Sequence, residues 1–390
     1  MDIHSIGFTV FLVFTGAALL ATLALFARQS LLVAYIVLGV LLGPWGLGLV
    51  NDPDLIRDIS EFGIVFLLFL LGLNLQPQDL LNMVRKTTLV TLASSLVFAL
   101  LGFGVSVAFG FGWAESLLVG GAVTFSSTII GLKLLPTTIL HHQRSGEIII
   151  SILLLQDLLA IFFLLLVQGA NVGGDMPVFD LIQPLITLPA LAATAWLLDR
   201  YVLLPLMRRF DRIQEYVFLM TIGWCLGIAE LAHFMGLSAE IGAFIAGVTL
   251  ASSPVALFIA ESLKPLRDFF LILFFFSLGA GFDLGRMGEV VLPALLLAGL
   301  LMFAKPVVFR VLLQRTGESR ERSNEIGYRL GQMSEFSLLL AVLAFDHQVI
   351  SAGASYLIQL ATLITFLVSS YLVVLRFPTP IAVSDRLRRD

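Results

Sequence analysis

Gln156 and Asp157 stand side by side in ISILLLQDLLAIFFLLL, residues 150–166, where every other side chain except Ser151 is apolar. Placing a carboxylate in such a run costs about 3 kcal/mol on membrane-insertion scales, so an acid there points to an ion or proton path. The alternative is a buried structural hydrogen bond. A carboxylate holds a proton or a metal ion, not both usefully, and trading one for the other across a barrier is the chemistry of exchange. Gln156 adds a carbonyl oxygen without charge, so each cycle would carry one cation against one proton.

Three further groups could belong to the same site. Lys305, in LLMFAKPVVF, lies about eight residues from the end of its apolar run, roughly 12 Å deep, and Asp157 lies about ten residues in, roughly 14 Å deep. At matching depths the two could approach and each offset part of the other's desolvation. The alternative is a lysine that snorkels to the surface. Pro306 beside it weakens the helix. Two other apolar runs are interrupted midway by polar, helix-weakening residues, one at Thr124, Ser126, Ser127 and Thr128 in GGAVTFSSTIIGLKLL, the other at Gln332, Ser334 and Glu335 in RLGQMSEFSLLLA. Both are expected to unwind. Half-helix ends and freed carbonyls meeting at mid-membrane would form a site for a small ion. Otherwise the hydroxyls simply pack helices closely. Glu335 could coordinate the ion, cap its half-helix or pair with Arg329, with the structural roles favoured. Glu230 and Glu240 read as solvated gate or interface residues, and His141 with His142 as a solvated loop pair rather than a pH sensor.

Such groups need a membrane around them. Hydrophobic residues make up 58% of the 390 residues and charged residues 13%, and the mean hydropathy is +1.00, so the chain reads as an all-α polytopic membrane protein. "MDIH" lacks the basic leader of a secretory signal, which makes the first run a retained span. The single cysteine, Cys225, has no partner for a disulfide or thiolate metal site. A net charge of −4 argues against nucleic acid as a partner. No nucleophile–base set or metal-ligand cluster suggests an enzyme, and no cofactor is expected.

Thirteen transmembrane helices are predicted, over about 6–26, 31–49, 60–73, 87–110, 116–140, 148–168, 181–198, 215–233, 238–258, 269–282, 290–313, 326–346 and 352–375. Of the 23 Lys and Arg residues, only Arg57 and Arg286 then fall on the N-terminal side, with Lys133, Lys305 and Arg329 in or near spans. All the others share the C-terminal side. The C-terminus is therefore expected in the cytoplasm and the N-terminus outside.

The chain also echoes itself. AYIVLGVLLGP aligns with AFIAGVTLASSP, and EFGIVFLLFLLGLNL with DFFLILFFFSLGAGF, setting Glu61 over Asp268, Phe69 over Phe276 and Gly72 over Gly279. Two five-helix repeats, about 31–168 and 238–375, are joined by linker helices at about 181–233. Their offset of seven helices inverts the second copy, and the repeats pair one interrupted helix with the other.

FSSTIIGLKLL, LLLQDLLAI and GQMSEFSLLLA, in that order and spacing, resemble the Kef-type monovalent cation:proton antiporter-2 family over essentially the whole chain. The resemblance implies a sodium/proton-antiporter-like fold, with a core of six helices holding two crossing broken helices, and a homodimer built on the other helices. It makes Asp157 the ion-carrying carboxylate, puts Gln156 where sodium–proton relatives often carry Asp or Asn, and gives Lys305 the place of the core-helix basic residue. The expected activity is exchange of K+, with Na+ next, for H+ in a plasma membrane of the bacterial inner-membrane kind. A gated K+ efflux pathway, a non-transporting ion sensor and an organic-acid symporter are the competing readings. Many Kef-type members continue into a nucleotide-binding regulatory domain. This sequence runs only to SDRLRRD, a short tail over 376–390, so that domain or a regulatory subunit is expected outside this chain.

Overall fold

The structure is a computed structural model that describes residues 6–27, 29–50, 53–74, 77–133, 144–169, 178–210, 213–251, 253 and 256–379. His141 and His142 lie outside the described residues. Among those described, seven helices are long and apolar enough to cross a membrane, and three shorter apolar helices accompany them.

In chain order the helices are α1 (Ile6–Phe26), α2 (Leu31–Leu42), α3 (Pro53–Asn74), α4 (Pro77–Ala108), α5 (Trp113–Ala122), α6 (Thr128–Lys133), α7 (Arg144–Gly169), α8 (Val178–Leu198), α9 (Leu204–Arg209), α10 (Gln214–Phe234), α11 (Ala239–Ala251), α12 (Ala256–Ser262), α13 (Lys264–Ala280), α14 (Leu284–Arg315), α15 (Arg320–Arg329), α16 (Glu335–Asp346) and α17 (Ala352–Arg376). Each expected apolar segment falls on one helix or an interrupted pair, and several boundaries move. The second segment stops at Leu42 because GPWGLG follows. Pro44 cannot continue the helix, and the turn folds back so that Leu47 N–H and Val50 N–H bond to Leu41 and Leu42 carbonyls. The third segment extends backward through polar residues to Pro53. The ninth divides into α11 and α12. The seventh does not end at 198. It passes through a π-helical turn, Asp199–Leu203, into α9.

The chain forms two compact units. One comprises Met1–Gly16, Ile36–Leu80 and Gly173–Gly281; the other comprises Ala17–Tyr35, Leu81–Val172 and Phe282–Asp390. Each draws on both of the sequence's self-similar stretches.

Within the first unit, glycines of the two aligned stretches make two close helix contacts. A Cβ on Gly39 of α2 would lie 2.0 Å from the Phe276 carbonyl of α13, and one on Gly279 would lie 2.0 Å from the Ile36 carbonyl. In the second contact, a Cβ on Gly247 of α11 would lie 2.1 Å from the Phe69 carbonyl of α3, and one on Gly72 would lie 2.3 Å from the Phe244 carbonyl. Aligning the two stretches exchanges Gly39 with Gly247 and Gly279 with Gly72, which carries one contact onto the other. Only glycine permits backbones this close. Gly247→Ala is therefore expected to destabilise the protein by roughly 1–3 kcal/mol, read as a lower thermal midpoint in detergent. Gly299→Ala, with open space around its Cβ, should not. Equal midpoints for the two variants would contradict the packing.

Candidate ion-binding site

The second unit holds both interruptions. In the first, α5 ends at Ala122 and α6 begins at Thr128. Thr124 Oγ1 donates to the Gly121 carbonyl at 2.7 Å, closing the C-terminus of α5. Ser127 Oγ accepts from Ile130 N–H at 3.0 Å, starting α6 as an N-cap does. Two hydroxyls thus satisfy groups that an unbroken helix would pair internally. Glu115 fixes the other end of α5 by accepting from Gly112 N–H and from Ser351 N–H at the start of α17.

In the second interruption α15 ends at Arg329 and α16 begins at Glu335. Ser334 caps α16 by accepting from Phe336 N–H at 3.1 Å, while Ser337 Oγ accepts from Ser334 N–H at 3.3 Å. Glu335 occupies the first turn of α16, where a carboxylate meets the positive end of the helix dipole. Among the described residues no ion pair joins Arg329 to Glu335. Arg329 pairs with Glu325 at 2.9 Å, donates to the Pro378 carbonyl at 2.9 Å and lies over the Phe377 ring.

The two interruptions touch. Ser126 Oγ donates to the Leu330 carbonyl at 2.9 Å, Ser337 Oγ to the Ala122 carbonyl at 2.6 Å, and Gln332 Nε2 to the Ser127 carbonyl at 3.4 Å. Lys305 joins them. Its Nζ donates to the Phe125 carbonyl at 2.6 Å, the Gln332 carbonyl at 2.9 Å and Ser126 Oγ at 3.3 Å, and lies 5.4 Å from the Phe98 ring centroid. An ammonium has three N–H bonds, and all three are used.

Those bonds correct the expectation for Lys305. It neither snorkels, being 0% exposed, nor forms an ion pair with Asp157 among the described residues. Depth on two helices says nothing about which way each side chain faces, and Lys305 faces the bare carbonyls of both breaks. Gly327 lets α15 approach this level, since a Cβ there would lie 2.8 Å from the Pro306 carbonyl.

Gln156 and Asp157 project from α7 onto the first interruption. Gln156 Oε1 accepts from Ser126 N–H at 3.0 Å and its Nε2 donates to the Thr124 carbonyl at 3.2 Å, so this amide is already engaged with the backbone. Asp157 is 2% exposed. Among the described residues only Thr128 donates to it, at 3.3 and 3.4 Å to the two oxygens, longer than a well-formed O–H···O bond. Glu335 is near enough for its charge to act on Asp157. A dry carboxylate with spare acceptor capacity, beside a hydroxyl and a second acid, can take up a proton or a desolvated cation. Of the hydroxyls expected at this site, Thr128 alone contacts the carboxylate. Thr124, Ser126 and Ser127 are engaged with backbone or Lys305.

Sequence reading missed the support from α17. Thr365 Oγ1 accepts from Met333 N–H at 3.0 Å, a donor freed by the second break, and Ser369 Oγ donates to Gln332 Oε1 at 2.9 Å. Thr362, Thr365 and Ser369 share a helix face at spacings of three and four, the one signal that could have revealed them.

A polar clamp holds the start of this assembly. Glu318, between α14 and α15, accepts from Arg144 at the start of α7 at 2.7 Å and from Arg322 at 2.6 Å. Burial pushes the Glu318 carboxyl up, but hydrogen bonds and charge from Arg322 and Arg144 outweigh it, leaving the group below its ordinary value of 4.5. A carboxyl lowered by folding adds stability above its unfolded value and loses that stability as pH falls through the folded one. The clamp should therefore hold at neutral pH and fail progressively below about pH 4.5. With the arginine side chains 59% and 36% exposed, screening limits it to about 1 kcal/mol. Unfolding curves should show the wild type losing that much more than Glu318→Gln on acidification; parallel pH profiles would contradict this.

Comparison with known proteins places this geometry. The pattern of the family described as "Sodium/hydrogen exchanger, transmembrane" matches residues 11–375. The chain is 29% identical over 350 residues to a protein of Paramagnetospirillum magneticum named "Iron transporter MagA", covering 88% of this chain and 79% of that one. It is also similar to a structure of the sodium proton antiporter MjNhaP1 of Methanocaldococcus jannaschii at pH 8, with a TM-score of 0.69 at 19% identity, over 93% of this chain and 94% of that one. An electron-microscopy structure of MjNhaP1 gives 0.64 at 18% identity, over 95% of each. With the family pattern running almost end to end over an all-helical antiporter fold, the chain belongs to the transmembrane sodium/hydrogen exchanger family and is a membrane cation:proton antiporter.

Proposed function

We propose that this antiporter exchanges a monovalent alkali cation, K+ ahead of Na+, for H+ by competition of the two for Asp157, with the carboxylate opening to each side of the membrane in turn. The observation that carries the reading is the Asp157 carboxylate itself, buried at the unwound backbone and, among the described residues, hydrogen-bonded only at long range to Thr128. Oxygen ligands suit either alkali ion, and the sequence motifs favour the Kef-type branch and with it K+. In this reading the chain crosses a bacterial inner membrane thirteen times with its C-terminus in the cytoplasm, and works as a homodimer under a regulatory domain or subunit. Gln156 adds no charge, so one cation moves against one proton. Lys305 holds the two breaks together through their carbonyls and Ser126 Oγ.

Competition has a kinetic signature. In proteoliposomes given K+, Na+, Li+, Rb+ or Fe2+, the last included because of the name its relative carries, the favoured cation should drive proton movement. Its apparent affinity should weaken about tenfold per pH unit where the proton occupies the site. An affinity constant across pH, with only the maximal rate changing, would rule out a shared site. Conductance without proton countertransport would instead establish the channel reading.

A further inference from the structure

Past Leu198 the chain continues as a helix through the π turn Asp199–Leu203. Such a turn holds an extra residue in the helical ladder and is frequent at functional sites. Asp199 is 3% exposed, and among the described residues its Oδ1 has no hydrogen-bond partner. Beside it is a cavity of about 380 Å³ whose lining includes Trp196, Asp199, Arg200, Arg208 and Thr249. That volume lies in the range of small-ligand sites. The cavity belongs to the first unit, whereas Asp157 belongs to the second.

The charges are arranged for an occupant bearing both signs. Arg200 stacks over the Trp196 ring at 5.2 Å, and among the described residues neither it nor Arg208 forms an ion pair with Asp199. A buried carboxylate oxygen without a donor is costly and gains most from a hydrogen-bonding cation. Guanidinium groups suit phosphate. A simple anion would be repelled by Asp199, and a simple cation by the two arginines. A zwitterion meets neither penalty. The cavity closes the span Ile186–Arg209, the level at which tryptophan and arginine sit among lipid headgroups.

We propose that this cavity binds the headgroup of a zwitterionic aminophospholipid, with its primary ammonium at Asp199 and its phosphodiester at Arg200 and Arg208. The ammonium is the discriminating part, because a trimethylated amine has the same charge but no N–H to give Asp199.

Native mass spectrometry of the full chain, released from micelles containing phosphatidylethanolamine, phosphatidylcholine and phosphatidylglycerol with matched acyl chains, tests the proposal. The wild type should retain phosphatidylethanolamine about tenfold over phosphatidylcholine, the worth of a charge-assisted hydrogen bond. Asp199→Asn should bring the two to parity, and Arg208→Ala, at an exposed position, should weaken retention of both. Equal retention of the two lipids by the wild type, or phosphatidylglycerol above both, overturns the proposal without reliance on any variant. So does an unchanged preference in Asp199→Asn. Glycerophosphoethanolamine tests the source of the headgroup: thermal stabilisation equal to that from the whole lipid would assign the cavity to a soluble ligand and overturn the lipid reading.

Discussion

Asp157→Asn should reduce cation-driven proton movement to that of protein-free liposomes, while the protein inserts normally and unfolds at no lower a temperature than the wild type. Asparagine keeps the size of the side chain and an oxygen for the Thr128 hydroxyl, now 3.3 and 3.4 Å from the carboxylate. It cannot release a proton, and its neutral carbonyl cannot repay a cation for leaving water. Removing a charge buried to 2% exposure also removes its desolvation cost, so stability should hold or rise. Loss of function with retained stability separates an ion carrier from a structural hydrogen bond, whose removal lowers both together. Measurable exchange in a well-folded Asp157→Asn protein would take the carrier role from this residue.

Lys305→Met should have the largest effect on stability. Methionine fills much the same space beside Phe98 but leaves the Phe125 and Gln332 carbonyls and Ser126 Oγ without their donor. Two stranded backbone carbonyls in a dry interior cost about 1–3 kcal/mol each, a gross loss of roughly 2–6 kcal/mol that is reduced by the ammonium desolvation methionine spares, with slower exchange as the site loosens. Lys305→Gln distinguishes the cause, since its neutral amide offers two N–H bonds. If bonding to the breaks is what matters, it should recover part of the lost stability. If positive charge matters, it should behave like methionine. A Lys305→Met protein as stable as the wild type would remove the lysine from the crossing.

The legible parts of the site were those with no inexpensive alternative explanation. Asp157 could be singled out because an acid in an apolar run is costly wherever it points. The interruptions could be placed because Gly, Ser and Thr weaken a helix through local bonds, and Thr124, Ser127 and Ser334 make those bonds. Partners across helices were not legible. Lys305 and Asp157 sit at similar depths, yet residue counting measures depth and not direction, and the lysine faces carbonyls. Thr365 and Ser369 were invisible because a hydroxyl serving a neighbour's backbone looks the same in sequence as one that packs. The end of the seventh apolar segment was misread for a related reason: Asp199 and Arg200 resemble the polar margin of a span, whereas a wider turn carries the helix through them to Arg209.

The ammonium at the crossing grips one carbonyl from each unwound strand, and this restricts how transport can proceed. Straightening either strand, or drawing the two apart, would strip a cation of its ligands at a position that is 0% exposed. In the proposed exchange the knot would then travel tied, with both strands and their acid moving together as a single piece of cargo-bearing machinery and the yielding left to its margins.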